Sequence, residues 1–452
     1  MAHHPWVKTG ENTYEQSYGF MERFFTRFLG EEGKPSQFTI IATLELSVPN
    51  SSIGTLESDL RSTWRAMRFH SPGLATFTGP TGKIYHTATP ETLSAWESAT
   101  FIRHPLNTQA SALFSTLTRA SLVTLHFLPG TTSHQLILQA EHHNIDGRGV
   151  YHLFNRFLTI LTTPSLRTNL PFGTEWARLP PLMDDLLSLS PISSADETAL
   201  AAEWISPVSS ITPLTIPIPP PLRSRPPSQS LRTSLRLSRA ETSALIAACK
   251  THNLTVTSAW IAALALSLAQ TAPDDAPTAG LATFATIDMR RFFPSPFDAS
   301  EAPVACYHSA IPIALPILGK SFIELAREVK TAFHGGSITE PRKTAWIPFV
   351  EMMGNAVGGR EGTESGVLIS SLGVVDDYVR KRYGDVEVVD VWIGDVMMGG
   401  TSLWMCETWD GRLAVSVTYN EAYFGEGQMK GVLERVRGEM LRGLGVESGG
   451  MD

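Results

Sequence analysis

Cysteine is scarce in this chain of 452 residues: there are three, Cys249, Cys306 and Cys406, scattered and odd in number. Such a set forms no disulfide framework, and without a CxxC pair it offers no recognisable metal-ligand spacing. The thiols read as buried core residues, and no metal is assigned. Long apolar runs are also missing. The longest, Ala259 to Leu266, falls far short of the roughly 20 residues of a membrane-spanning helix. The first residues, with His3, His4, Lys8 and Glu11, lack the apolar core of a secretory signal. The expectation is a cytoplasmic protein with no membrane partner. Basic charge is in deficit, 36 Lys and Arg against 44 Asp and Glu for a net charge of -8, and no segment supplies the basic face that nucleic acid requires. A G-x-S-x-G elbow is absent too, which removes the usual serine nucleophile of hydrolases.

What is present describes an ordinary globular protein, 42% apolar and 18% charged, too long for one hydrophobic core. Between Pro207 and Pro227 stand eight prolines in 21 residues, among them Pro219-Pro220-Pro221. Proline lacks an amide donor and restricts its predecessor, so this stretch reads as an extended crossover. The expected organisation is an N-terminal domain over residues 1–206, a linker over 207–230 and a C-terminal domain over 231–452.

Both halves mix strand and helix periodicities. Phe38, Ile40, Ala42, Leu44 and Leu46 alternate with polar residues, as in a half-buried strand, and Ile53, Leu56, Leu60, Trp64 and Met67 share one helical face. Leu136 to Glu141 predicts a strand and Gly149 to Leu161 a helix. In the second half, helices are predicted over 240–249 and 257–268, a central strand over 281–287, and an amphipathic helix carrying Phe322, Leu325, Ala326, Val329 and Phe333. Leu413, Val415, Val417 and Tyr419 alternate after Asp410-Gly411, the pattern of a hairpin. The tail over 443–452 reads as disordered.

The chemistry concentrates in His142-His143-Asn144-Ile145-Asp146-Gly147, directly after the apolar run Leu136 to Ala140. Random placement would produce HxxxDG roughly 0.04 times in a chain of this composition. An imidazole with an unperturbed pKa of about 6.5 accepts a proton at neutral pH, and a positioned base of this kind is worth ~10²–10⁴-fold in rate. Anchored on Asp146 and Gly147, the motif makes His142 the base and His143 a neighbour facing the other way. Successive strand residues face opposite sides, which argues against chelation of one ion by the pair. Asp146 has two readings: orienting the His142 ring, or, favoured here, turning inward to an arginine and fixing the loop. Gly147 lets the chain turn and brings an amide or a helix N-terminus toward a developing oxyanion.

These residues resemble the chloramphenicol-acetyltransferase-like superfamily, which includes BAHD acyltransferases and condensation domains of peptide synthetases. Its hallmark is HHxxxDG or HxxxD, with Glu141 here in place of the first histidine. Most of the chain takes part, and the look is that of fungal stand-alone O-acyltransferases of secondary metabolism such as trichothecene acetyltransferases. Trp64 to Pro72 resembles an early helix of the family. Thr286-Ile287-Asp288-Met289-Arg290-Arg291 resembles its arginine-bearing segment, which makes Arg290 the partner for Asp146. Ile369-Ser370-Ser371-Leu372-Gly373 resembles the stretch lining the active-site channel, with Ser370 or Ser371 as a substrate ligand. Trp404 and Tyr419-Asn420-Glu421 fall on strands near that channel, with packing as their expected role. The chain departs from the plant-type enzymes in having no DFGWG.

The resemblance implies an α/β fold of two chloramphenicol-acetyltransferase-like domains in a pseudo-dimeric arrangement, with an active-site tunnel between them. It also implies transfer of an acyl group, acetyl in the simplest case, from acyl-CoA to a hydroxyl of a small secondary metabolite. His142 would be the base, no covalent acyl-enzyme would form and no cofactor would be permanently bound. The partners would be an alcohol acceptor and acetyl-CoA, and the protein a monomer. The rival readings are cyclisation or condensation of a polyketide or peptide without acyl-CoA, and a non-catalytic binding module.

Overall fold

The computed structural model describes residues 5–48, 52–271, 279–334, 344–358 and 366–447. The chain divides into two compact units, and neither is continuous in sequence. The first comprises Met1–Pro191, Asp288–His308 and Val375–Val396; the second comprises Ile192–Ile287, Ser309–Val374 and Met397–Asp452. This differs from a division in sequence order at residues 206 and 231, because strand pairing recruits late segments into the first unit.

The first unit holds two sheets. The smaller joins β1 (Val7–Lys8), β2 (Thr13–Ser17), β4 (Thr76–Thr78) and β5 (Gly82–His86) in the order β1-β2-β5-β4. The larger contains β3 (Thr39–Ser47), β6 (Phe101–Arg103), β7 (Thr124–Leu128), β8 (His134–Glu141), β14 (Arg382–Tyr383) and β15 (Val386–Asp395). Its order is β14-β15-β3-β8-β7-β6. The strand expected over Phe38 to Leu46 is thus β3, sandwiched between β15 and β8. It is buried on both faces rather than half-buried, Thr39 and Thr43 included. It starts at Thr39, since Phe38 has φ 66 and lies in the left-handed region. The helix predicted from Ile53 spans Ile53–His70, its first turn capped by the Ser52 side chain accepting from the Thr55 amide.

The second unit is built on one seven-stranded sheet. It comprises β9 (Thr212–Pro213), β10 (Ser230–Arg236), β11 (Ala279–Asp288), β12 (His308–Pro316), β13 (Gly366–Val374), β16 (Thr401–Trp409) and β17 (Arg412–Asn420). Its order is β10-β17-β16-β13-β11-β12, with β9 pairing on β11. The β16–β17 hairpin turns through Asp410 and Gly411 at φ 50 and 69, the left-handed pair that a two-residue connection demands. Helix Val256–Ala269 is buried nearly all round, as its largely apolar sequence requires.

The proline-rich stretch is not one extended crossover. Pro207 lies inside helix Ala195–Ser209, where the Ser206 hydroxyl donates to the Glu203 carbonyl that a proline amide leaves unserved. Thr212 and Pro213 pair with Ala279 and Gly280, and Pro220 opens a short helix to Arg223. The C-terminal expectation also needs correcting in part. Gly443 and Leu444 complete helix Glu426–Leu444, which ends on Gly445 at φ 66; residues 448–452 lie outside those described. No single helix among the described residues is long and apolar enough to cross a membrane.

Gly443 explains why that helix continues where composition suggested disorder. A Cβ there would fall 2.3 Å from the Phe322 ring, so only glycine lets helices Glu426–Leu444 and Phe322–His334 pack at this point. Gly443→Ala is therefore expected to destabilise the protein by about 1–3 kcal/mol through overpacking, read as a lower denaturation midpoint with an unchanged slope.

Candidate active site

The site grows from the end of β8. Glu141 is the last strand residue, paired across the ladder with Thr39, and the chain then turns, with the Asn144 amide donating to the Glu141 carbonyl at 2.9 Å. Glu141 is a buried anchor. Its carboxylate accepts from Thr39 Oγ1 at 3.2 Å and Ser36 Oγ at 3.4 Å and lies 3.7 Å from Arg119. Burial pushes it up to about 7 against those partners.

Asp146 ends the turn and caps helix Gly147–Leu161, its Oδ1 accepting from the Gly149 amide at 2.7 Å. Arg290 donates to both carboxylate oxygens at 3.0 Å, and the Tyr307 amide donates to Oδ2 at 2.6 Å. Burial alone would raise the Asp146 carboxyl, but the Arg290 guanidinium outweighs it and holds the group at about 2. Arg290 also bonds Asp288 at 3.1 Å. Its neighbour Arg291 is exposed, its guanidinium over the Phe292 ring.

Gly147 is the first residue of the helix and has ordinary helical backbone. The glycine that geometry demands is Gly149. A Cβ there would lie 2.3 Å from the Pro303 carbonyl oxygen and 3.3 Å from Arg290 Nη2, so its bare backbone lets the helix start against the segment that carries Arg290.

The two histidines of the turn meet different surroundings. His143 is fully buried, its Nε2 bonded to Thr78 Oγ1 at 2.9 Å, with Tyr18 edge-on to the ring. His142 stacks face to face on Phe25, with ring centroids 4.0 Å apart and planes 2° apart. Phe38 meets Phe25 edge-on, and the left-handed backbone at Phe38 turns that ring inward. Burial, reinforced by His308, lowers His142 to about 3.

Three more residues belong to this site, and nothing in the sequence marked them. His308 is tilted 36° against His142 at a centroid separation of 4.7 Å. Cys306 lies two residues before it, buried. Asp395, the last residue of β15, places Oδ2 3.9 Å from His142 Nε2. The ladder accounts for that approach: Asp395 and Ala140 both pair with Ile40, so their side chains share a sheet face with the position two residues beyond Ala140, which is His142. Burial raises the Asp395 carboxyl to about 8.

Ser370 and Ser371 lie in the second unit, on β13. Ser371 Oγ is engaged by Thr257 Oγ1 at 2.8 Å and by the Trp260 indole at 3.4 Å, whereas Ser370 Oγ accepts from Thr286 Oγ1 at 3.1 Å. Trp404 and Asn420 are structural. The indole of the first donates to Ser402, and the amide of the second donates to the Ser228 and Met397 carbonyls.

A family model described as the phthiocerol/phthiodiolone dimycocerosyl transferase C-terminus matches residues 226–393. In fold the chain is similar to the TRI3 trichothecene 15-O-acetyltransferase from Fusarium sporotrichioides, with a TM-score of 0.80 at 15% identity over 97% of each chain. It is also similar to the epimerization domain from the third module of tyrocidine synthetase B, with a TM-score of 0.63 at 14% identity, covering 97% of this chain and 99% of that one. The fold is that of the condensation-like, chloramphenicol-acetyltransferase-like proteins, as the motif led us to expect. The chain is an acyltransferase, similar in sequence to the O-acetyltransferase pigM of Monascus ruber at 25% identity over 395 residues, 86% of this chain and 77% of the relative.

The Asp146–Arg290 pair yields a stability test. Asp146→Ala strands a buried guanidinium and is expected to cost about 3–5 kcal/mol, measured by chemical denaturation. Because the folded carboxyl sits at about 2, below its unfolded value of ~3.9, its contribution is complete above pH ~4 and is lost as pH falls toward 2. The difference between wild type and variant should shrink over that window.

Proposed function

We propose that the protein transfers an acetyl group from acetyl-CoA to a hydroxyl of a small secondary metabolite, with His142 as general base. The observation that carries this reading is the division of labour within one turn. Asp146 is saturated by Arg290, Tyr307 and Gly149, while His142 is held by stacking on Phe25, with Nδ1 unbonded among the described residues and Nε2 facing a carboxyl across 3.9 Å. The similarity to pigM, an O-acetyltransferase, supports the choice of a hydroxyl acceptor.

In this mechanism a ring nitrogen of His142 takes the acceptor's hydroxyl proton as the oxygen attacks the thioester carbonyl. The tetrahedral intermediate carries its charge on the former carbonyl oxygen. Collapse re-forms the carbonyl and expels the CoA thiolate, which recovers the proton from His142. No acyl-enzyme forms.

An imidazole lowered to about 3 is a weak base unless its positive charge is compensated as it forms. Of the groups around it, His308 and His143 oppose that charge, and Asp146 favours it but is committed to Arg290. Asp395 is the remaining carboxyl, and once ionised it would stabilise the imidazolium.

Expected outcomes follow for two variants. His142→Ala should lower acetyl transfer by about 10²-fold or more with an unchanged melting curve; near-normal turnover would remove His142 as the base. In wild type, kcat/KM should rise through about pH 8 as Asp395 ionises, with no separate inflection near 6.5 of the kind an ordinary histidine gives. Asp395→Asn should flatten the rise, and a rise that persists in this variant assigns it to another group. The screen that tests the reading as a whole supplies acyl-CoA donors with candidate alcohols and detects esters by mass spectrometry.

A further inference from the structure

His142, Cys306 and His308 each present one ligand atom, and the three atoms lie within 4.8 Å of one another. We propose that these side chains form a binding site for a thiophilic divalent ion, zinc foremost, and that an ion held there shuts off the base.

Two imidazoles and a thiolate are a borderline-to-soft donor set that suits zinc and its neighbours and disfavours magnesium and calcium. Zinc bonds nitrogen at about 2.0–2.1 Å and sulfur at about 2.3 Å, so tetrahedral ligands stand roughly 3.3–3.7 Å apart. Closing the triangle from its present size takes about 1 Å of side-chain rotation. Two observations favour a ligand at this place. His142 Nδ1 is buried with no hydrogen-bond partner among the described residues, and coordination or a rotated ring would satisfy it. Asp395 Oδ2 lies 3.9 Å from Nε2 of the same ring, so one carboxylate and one thiolate are available to balance the two charges of the ion.

On binding, the Cys306 S–H bond breaks, its proton leaves to solvent and a sulfur–metal bond forms, with no change of oxidation state. A lone pair of His142 is then engaged by the ion. Protein that has bound zinc therefore cannot use that nitrogen to accept a proton from an acceptor.

Cobalt(II) serves as the optical probe, since a thiolate–cobalt bond gives a charge-transfer absorption in the near ultraviolet. Titrated into the full chain, one equivalent should produce that band, and zinc should abolish it by displacement. The band should vanish in Cys306→Ser, remain in Cys249→Ala and Cys406→Ala, and require about tenfold or more additional cobalt in His308→Gln. In the catalytic assay, zinc should inhibit acetyl transfer reversibly, with chelator restoring activity. Measured against its own zinc-free rate, Cys306→Ser should need about tenfold or more zinc for the same fractional inhibition.

No band in the wild type, or a band that survives Cys306→Ser, overturns the site. Equal zinc sensitivity of wild type and Cys306→Ser overturns the inhibitory role. The cobalt titration does not depend on turnover, so a failure of the acyl-transfer reading would leave it decisive.

Discussion

Everything around the motif hangs on one buried carboxylate. Asp146 and Arg290, 1% and 2% exposed, would each be costly to bury alone, and together they are stable only because every carboxylate bond is aimed. Arg290 binds both oxygens, the Tyr307 amide adds a third donor and the Gly149 amide a fourth. These four bonds tie the turn after β8, the start of helix Gly147–Leu161 and the segment Asp288–His308 to one point. That segment brings Cys306 and His308 with it. The charge pair therefore acts on chemistry through placement: it sets where His142 sits and what His142 faces.

The second constraint is the order of strands in the larger sheet of the first unit. β15 comes from late in the chain, yet it pairs with β3, whose other neighbour is β8. That insertion carries Asp395 to the level of His142, at the edge of the same sheet face. It also gives the Phe38 amide a partner in the Val396 carbonyl at 2.8 Å and the Val396 amide one in the Thr39 carbonyl, which holds Phe38 in its left-handed conformation. The strained residue orients an aromatic ring, that ring packs against Phe25, and Phe25 forms the floor under the imidazole. Backbone strain of this kind costs about 1–3 kcal/mol and persists only where neighbours over-determine it.

Burial of the turn works against protonation of His142. An imidazole lowered to about 3 beside a carboxyl raised to about 8 is a pair in which both members are neutral at rest. Such a pair avoids the cost of buried charge until proton transfer creates it. In solution His142 would be an ordinary base, and here its reactivity is set by what stands across 3.9 Å.

The local elements were legible in the sequence because their causes are local. Apolar residues at three- and four-residue spacing placed helix Ile53–His70, alternation placed β3 and β17, and Asp410-Gly411 placed the hairpin turn. The HxxxDG spacing likewise singled out His142 and Asp146, since strand, turn and helix start are contiguous there. Hidden from the sequence were the partners that arrive from far along the chain: Phe25, Cys306, His308 and Asp395 carry no motif, and Gly149, the glycine that close packing requires, stood unmarked beside Gly147. Burial on both faces of β3 was equally invisible, because alternation reports polarity and not what covers the polar side. The sequence by itself determined the strand, turn and helix start that carry His142 and Asp146. Only the tertiary structure decided the company of His142, because strand order and the buried charge pair, neither of them a local property, bring those side chains together.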